Sequence, residues 1–129
     1  MESYLVDTNI FLEILLGQNK SEKCKDYLND RIGKIYISDF SLHSIGVILF
    51  KLEKQDQFDL FLDDLFPRIV HIGLPEIDYK NVRKFSNIYK LDFDDAYQTS
   101  VAKSYELIIA TMDKDYRRIE KDFKVDFIN

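Results

Sequence analysis

The segment Leu107-Ile108-Ile109-Ala110-Thr111-Met112-Asp113-Lys114-Asp115-Tyr116 opens on four apolar residues in unbroken succession and then turns acidic. An apolar run without alternation suits a strand covered on both faces, as in a parallel sheet flanked by helices. Just upstream, Asp94 or Asp95 starts a helix that runs through Ala102 to Tyr105, with Ala96, Thr99 and Val101–Ala102 toward the sheet. A helix that feeds directly into a buried strand is the closing half of a crossover between parallel strands.

The same alternation extends to both ends of the chain. Tyr4-Leu5-Val6 reads as a strand ending at Asp7, followed by a short helix from Ile10 to Leu16 that Gly17 closes. Ser21 to Arg31 is a polar helix with Cys24, Tyr27 and Leu28 on its inner face. Ile35-Tyr36-Ile37 is a second strand, and Ser38 or Asp39 after it can cap a helix. That helix, from about Phe40 to Lys51, is apolar on most sides and so is expected to be buried on most sides, in the core or at a subunit contact. Gln57 to Phe66 reads as one amphipathic helix stopped by Pro67, Ile69 to Ile72 as a third strand, and Pro75-Glu76 as the opening of a helix to Tyr89. Val125 to Ile128 is a fifth strand. The expected fold is α/β in three layers: a central, mostly parallel sheet of four or five strands with helices on both faces. Ligands of such folds sit beyond the carboxyl ends of the strands.

A chain of 129 residues, 46% of them hydrophobic, suits one domain spanning residues 1–129. Cys24 is the only cysteine, so an intrachain disulfide is excluded. Residues 1–7 lack a secretory pattern and no apolar run approaches the roughly 20 residues that span a bilayer, which makes a cytoplasmic location the expectation. The net charge of −5 runs against ordinary nucleic-acid binding, where phosphate neutralisation supplies much of the affinity. A cluster of carboxylates that holds cations is the exception.

Acids stand where the topology says to look. Asp7 follows the first strand, Asp113 follows the fourth, and Asp94 and Asp95 begin the helix between. Each alone suits a helix cap, worth about 1 kcal/mol. Together they converge on one sheet edge, where crowded carboxylates repel unless a proton or a cation is shared. Hard divalent ions with oxygen ligands suit such a pocket.

Four stretches, in order and over nearly the whole chain, resemble the PIN domain family and, within it, the toxin ribonucleases of toxin–antitoxin pairs. They are Val6-Asp7-Thr8-Asn9, Ile37-Ser38 with the helix after it, Asp95-Ala96 with Ala102 beyond, and Thr111-x-Asp113-x-Asp115-Tyr116. The resemblance implies that Asp7, Asp95 and Asp113 bind metal and catalyse, with Asn9, Ser38 and Thr111 orienting them by hydrogen bonds. It implies an endoribonuclease that uses Mg2+ or Mn2+ and leaves a 5′-phosphate and a 3′-hydroxyl. It also implies RNA, an antitoxin protein and a second copy of the chain as partners. Ser44 falls where the family places a helix Glu; its hydroxyl can bond a metal-bound water but brings no charge, and Asp39 or Asp94 is the candidate substitute. His43 beside it reads as a core residue. Asp115 reads equally as an outer ligand or as the cap of the turn after it. Lys114, Arg117, Arg118 and Lys121 are either a phosphate-holding rim or a solvated face. Phe58, Phe61, Leu62 and Phe66 are candidate antitoxin or dimer contacts, with core packing the stronger reading for Phe61 and Leu65. The missing Glu leaves a second reading, a PIN-like module that binds nucleic acid or protein without cutting.

Overall fold

A computed structural model describes residues 2–129. The chain runs β1 (Tyr4–Val6), α1 (Thr8–Leu15), α2 (Ser21–Asn29), β2 (Ile35–Ser38), α3 (Asp39–Lys51), α4 (Gln55–Leu60), β3 (Val70–Ile72), α5 (Lys80–Tyr89), α6 (Phe93–Tyr105), β4 (Ile108–Thr111) and β5 (Val125–Phe127). The five strands form one sheet in the order β3-β2-β1-β4-β5, and every pair is parallel.

Adjacent residues of a strand point to opposite faces, and here each face is roofed by helices. Val6, Ile35, Ile37 and Ala110 join Ile10, Phe11, Cys24, Ile45 and Phe61 in one core, under α1 to α4. Leu5 and Ile109 join Val82, Val101, Tyr116 and Ile119 in the other, under α5 and α6. The central strands β1, β2 and β4 therefore carry apolar residues at nearly every position. β3 is an edge strand, and Val70 and His71 are exposed.

Three elements differ from their expected form. The helix read as continuous over 57–66 ends at Leu60 and opens into a single π turn, Phe61–Leu65, then a 3-10 turn, Phe66–Arg68, that contains Pro67. The N–H of Phe66 reaches back five residues to the carbonyl of Phe61. This wider turn brings both rings to the core side, Phe61 edge-on to Phe11 and 5.9 Å from Phe66. The helix opened by Pro75 starts as a separate 3-10 turn, Glu76–Asp78, ahead of α5. α3 is not buried on most sides. Ser41, Ile45 and Leu49 form the buried stripe, one residue per turn, while His43, Val47 and Phe50 are exposed. His43 is thus a surface residue, facing an apolar groove shared with Phe58 and His71. Among the described residues no helix is long and apolar enough to cross a membrane.

Candidate metal centre

The chain leaves β1 for β2 on one side and later returns to β4 on the other side of β1. The crevice between the carboxyl ends of β1 and β4 is the topological switch point. Asp7 stands directly after β1 and Asp113 two residues after β4.

Asp7 is held from three directions. Its Oδ1 accepts from the N–H of Thr8 at 2.9 Å, capping α1, and more distantly from Gln98 Nε2 at 3.5 Å. Its Oδ2 accepts from the Thr111 hydroxyl at 2.9 Å. The same Thr111 oxygen accepts from the N–H of Asp113 at 2.9 Å, so one hydroxyl ties the two acid-bearing loops together. Gln98, buried on α6, donates to Ser41 Oγ at 2.9 Å, and Thr8 donates to that oxygen at 2.8 Å. Ser38 caps α3 by accepting from the N–H of Ser41 at 3.1 Å. Among the described residues Ser38 bonds to no acid; it fixes the serine that does the bridging.

Asp95 comes from the first turn of α6, but it is not the cap. Asp92 is, accepting from the N–H of Asp95 at 3.0 Å, which leaves the Asp95 carboxylate free to face the crevice. Asp113 caps the 3-10 helix Lys114–Ile119 by accepting from the N–H of Asp115 at 2.9 Å. Asp95, Asp113 and Asp115 each present a carboxylate oxygen, and these oxygens lie within 4.8 Å of one another. Asp7 is the neighbour of this trio rather than a member, its oxygens turned to protein donors, yet its charge bears on Asp95 and on Tyr116.

The cost of this crowding shows in the acid strengths. Burial, then the charges of Asp92, Asp113 and Asp7, push Asp95 up to about 7. Burial raises Asp7 as well, against the hydrogen bonds from Thr111, Thr8 and Gln98 that pull it down. Tyr116 is buried beside Asp95, and burial followed by the nearby carboxylates keeps its phenol neutral, a donor aimed at the pocket. The Tyr116 hydroxyl and Gln98 Oε1 find no partner with good hydrogen-bond geometry among the described residues. Three converging carboxylates with spare buried polar atoms match the oxygen-rich donor set of a small hard cation and its water shell.

Asn9 is exposed on α1 and lines, with Asp113 and Glu13, a cleft of about 370 Å³. Asp94 is exposed in the first turn of α6, outside the trio. Ser44 enters none of the bonds above. Asp39 accepts from Phe40 N–H and, at 2.7 Å, from the Tyr97 hydroxyl, which spends it away from the trio. Asp115 is the carboxylate that makes up the number. Arg118 lies 3.7 Å from Asp115 and donates to the Lys90 carbonyl at 2.7 Å. Arg117 instead pairs with Glu120 at 3.4 Å and covers the Phe127 ring. Lys114 and Lys121 are exposed. Gln98 and Ser41 went unmarked in the sequence, and Thr8 stood within Val6-Asp7-Thr8-Asn9 without a role of its own. The available signal was Gln98 itself, a large polar side chain on a helix face otherwise made of Ala96, Thr99, Val101 and Ala102.

The model of the PIN domain family matches residues 4–122. No curated protein sequence matches the chain. Among solved structures, the VapBC2 complex of Rickettsia felis, bound to a DNA fragment from its promoter, superposes with a TM-score of 0.79 at 19% identity, covering 98% of each chain. The sarcin-ricin-loop-cleaving toxin VapC20 of Mycobacterium tuberculosis gives 0.77 at 12%, covering 94% of this chain and 96% of that one. A toxin–antitoxin complex of Klebsiella pneumoniae gives 0.74 at 22%, covering 88% and 90%. At such identities the likeness is one of fold.

Proposed function

The chain belongs to the PIN domain family, and from that premise we propose that it is an endoribonuclease dependent on Mg2+ or Mn2+, the toxin of a toxin–antitoxin pair. The observation that carries the reading is the meeting of Asp95, Asp113 and Asp115 beside Asp7 at the switch point. Asp95, Asp113 and Asp115 would hold the ion. Asp7, steadied by Thr111 and Gln98, would complete the negative wall behind it. A divalent ion there supplies a water of lowered pKa and neutralises charge that builds on the phosphate.

The side chains around it do the positioning. Thr111 holds Asp7 and the Asp113 loop at fixed separation, so the acids do not spread under their own repulsion. The Tyr116 hydroxyl, buried beside Asp95 without a well-formed partner among the described residues, would offer a neutral donor to Asp95 or to a metal-bound water. Arg118, braced by the Lys90 carbonyl and paired with Asp115 at 3.7 Å, is held at the rim beside the acids, where a phosphate oxygen bound at the trio would meet it, and Lys114 stands next to Asp113. Arg117 is engaged by Glu120 and Phe127, so it is the weaker rim candidate. Purified protein incubated with single-stranded RNA and Mg2+ or Mn2+ is expected to cut it, and an Asp113→Asn variant to lose at least tenfold in rate. Equal cleavage by both preparations means a contaminant and removes the reading.

Ser44, where the family has Glu, favours the second reading, a module that binds without cutting. Against it, Asp115 brings a carboxylate oxygen within 4.8 Å of those of Asp95 and Asp113, an acid that could stand in for the missing charge. Metal titration followed by isothermal calorimetry separates the two: a dead module leaves the heat of Mn2+ binding unchanged by Asp113→Asn.

For protein partners, support comes from the groove of about 560 Å³ between α3 and α4, lined by Leu42, His43, Val47, Phe50 and Phe58. Phe50 and Phe58 meet edge to face along it, and Phe50 is more than half exposed. An antitoxin segment is the occupant proposed, and a homodimer the state of the free toxin. Phe61 is core and drops out of the contact set; Phe66 and Leu62 are partly buried against that core. A monomeric mass by light scattering at micromolar concentration removes the dimer.

A further inference from the structure

Phe93 is the most exposed aromatic side chain among the described residues, at 62%. It opens α6 two residues ahead of Asp95. Its ring stacks on Tyr97, one turn on, with centroids 6.2 Å apart and an interplanar angle of 29°. Tyr97 is only 5% exposed and is fixed at its far end, where the hydroxyl donates to Asp39 at 2.7 Å and accepts from the N–H of Leu74 at 3.2 Å. Phe40 and Tyr79 brace the Tyr97 ring. The outer face of Phe93 is thus a flat apolar shelf on a rigid support.

Its place matters. Asp39 directly follows β2 and Leu74 comes two residues after β3, so the shelf stands at the carboxyl edge of the sheet on the β2–β3 side. The acid trio stands at the same edge on the β4 side. Residues two apart on a helix project to nearly opposite sides of its axis, so Phe93 faces the β2 side while Asp95 faces the β4 side. β2 and β4 lie two strand spacings apart, roughly 10 Å, on the order of one to two nucleotide steps. Exposed Asp92 and Asp94 flank Phe93 in sequence and disfavour a phosphate beside it, so the ring suits a neutral group rather than the strand's backbone. A nucleobase presents a neutral face, and base-on-aromatic stacking is the sequence-tolerant contact that proteins use for single strands.

We propose that Phe93 is the shelf on which an unpaired base of single-stranded RNA stacks, beside the nucleotide whose phosphate enters the acid pocket. The shelf then fixes which phosphodiester is cut. This rests on the ribonuclease reading above.

The chain contains no tryptophan, so Phe93→Trp introduces a sole tryptophan at the shelf, excited at the red edge of the absorption where tyrosine does not absorb. Titrating that variant with a short single-stranded RNA is expected to quench its emission saturably. An RNA of the same length with abasic sugars in place of the bases is expected to leave it unquenched. Phe93→Ala is expected to lose about tenfold in RNA affinity, measured by anisotropy of labelled RNA. RNA binding without quenching, and unchanged in Phe93→Ala, overturns the shelf while the ribonuclease reading stands. No RNA binding by any form, in the presence of Mn2+, sinks both. A fall from dimer to monomer mass in Phe93→Ala would make the ring a contact with a second copy and would equally overturn the proposal.

Discussion

Asp95 is where folding and chemistry disagree. Its carboxyl is raised to about 7 by burial first and by Asp92, Asp113 and Asp7 after. An acid with a raised value binds its proton more tightly folded than unfolded, so the unfolded state releases protons first as pH rises. The metal-free protein therefore loses stability between about pH 4 and pH 7, the span from the unfolded acid strength to the folded one. Asp95→Asn removes the term. In chelator, the variant is expected to melt at the same temperature as wild type near pH 4 and above it at pH 8, with the gap opening through that span. Calorimetry at four pH values checks it. A constant gap would mean Asp95 is not strained. Saturating Mn2+ is expected to reverse the order at pH 8, because only wild type keeps the full set of carboxylates. Residue chemistry was partly legible in the sequence: each acid at a strand end also suits a helix cap, as Asp7 and Asp113 do here, but several converging on one sheet edge point to shared charge. Gln98 and Ser41 were not legible, because a buried amide or hydroxyl acquires its meaning only from the partner that folding brings to it.

At the scale of elements, α6 aims the site. Asp92 caps it, and this frees Asp95, three residues on, to face the crevice. Two neutral variants isolate the cap from the charge: Asp92→Asn keeps a capping oxygen and Asp92→Ala does not. The Ala form is expected to be less stable than the Asn form by about 1 kcal/mol, a few degrees in Tm for a chain of this size. Equal melting of the two would mean that the side-chain bond to Asp95 N–H contributes nothing. Sequence reading gave the capping role to Asp94 or Asp95, since Asp92-Phe93-Asp94-Asp95 offers several acids at adjacent positions and propensity does not choose among them. The choice is tertiary: Tyr97 is anchored outside the helix by Asp39 and Leu74, and Phe93 lies on Tyr97 and so sets the first turn. The strands were easier. β1, β2 and β4 are apolar on consecutive residues because helices cover both faces, and few other environments tolerate that. The π turn at Phe61–Leu65 left no trace in composition; it answers to the packing of Phe61 against Phe11.

The whole molecule is acidic, at −5, and yet is proposed to take a polyanion. Its parallel sheet gathers the acids at one edge, so a bound divalent ion must supply locally the positive potential that the surface as a whole lacks. Two side chains at the rim, Lys114 and Arg118, remain to meet phosphates directly. For a single strand the logarithm of affinity falls with the logarithm of salt at about 0.7 per phosphate neutralised, so two contacts give a slope near −1.4, or ~25-fold weaker binding per tenfold rise in KCl. A basic RNA-binding surface would be far steeper. With Mn2+ held constant and a cleavage-resistant RNA, anisotropy titrations at several KCl concentrations are expected to give that shallow slope, and Arg118→Gln to halve it. A slope beyond about −3 that Arg118→Gln leaves alone would move the phosphate path elsewhere. The alternative track would be the cleft of about 540 Å³ between α5, α6 and the strand edge, where Lys84, Lys103 and Lys124 gather. A shallow slope with strong dependence on Mn2+ would instead tie RNA affinity to the carboxylates at the switch point, which is what the proposed nuclease reading requires of a chain with a net charge of −5.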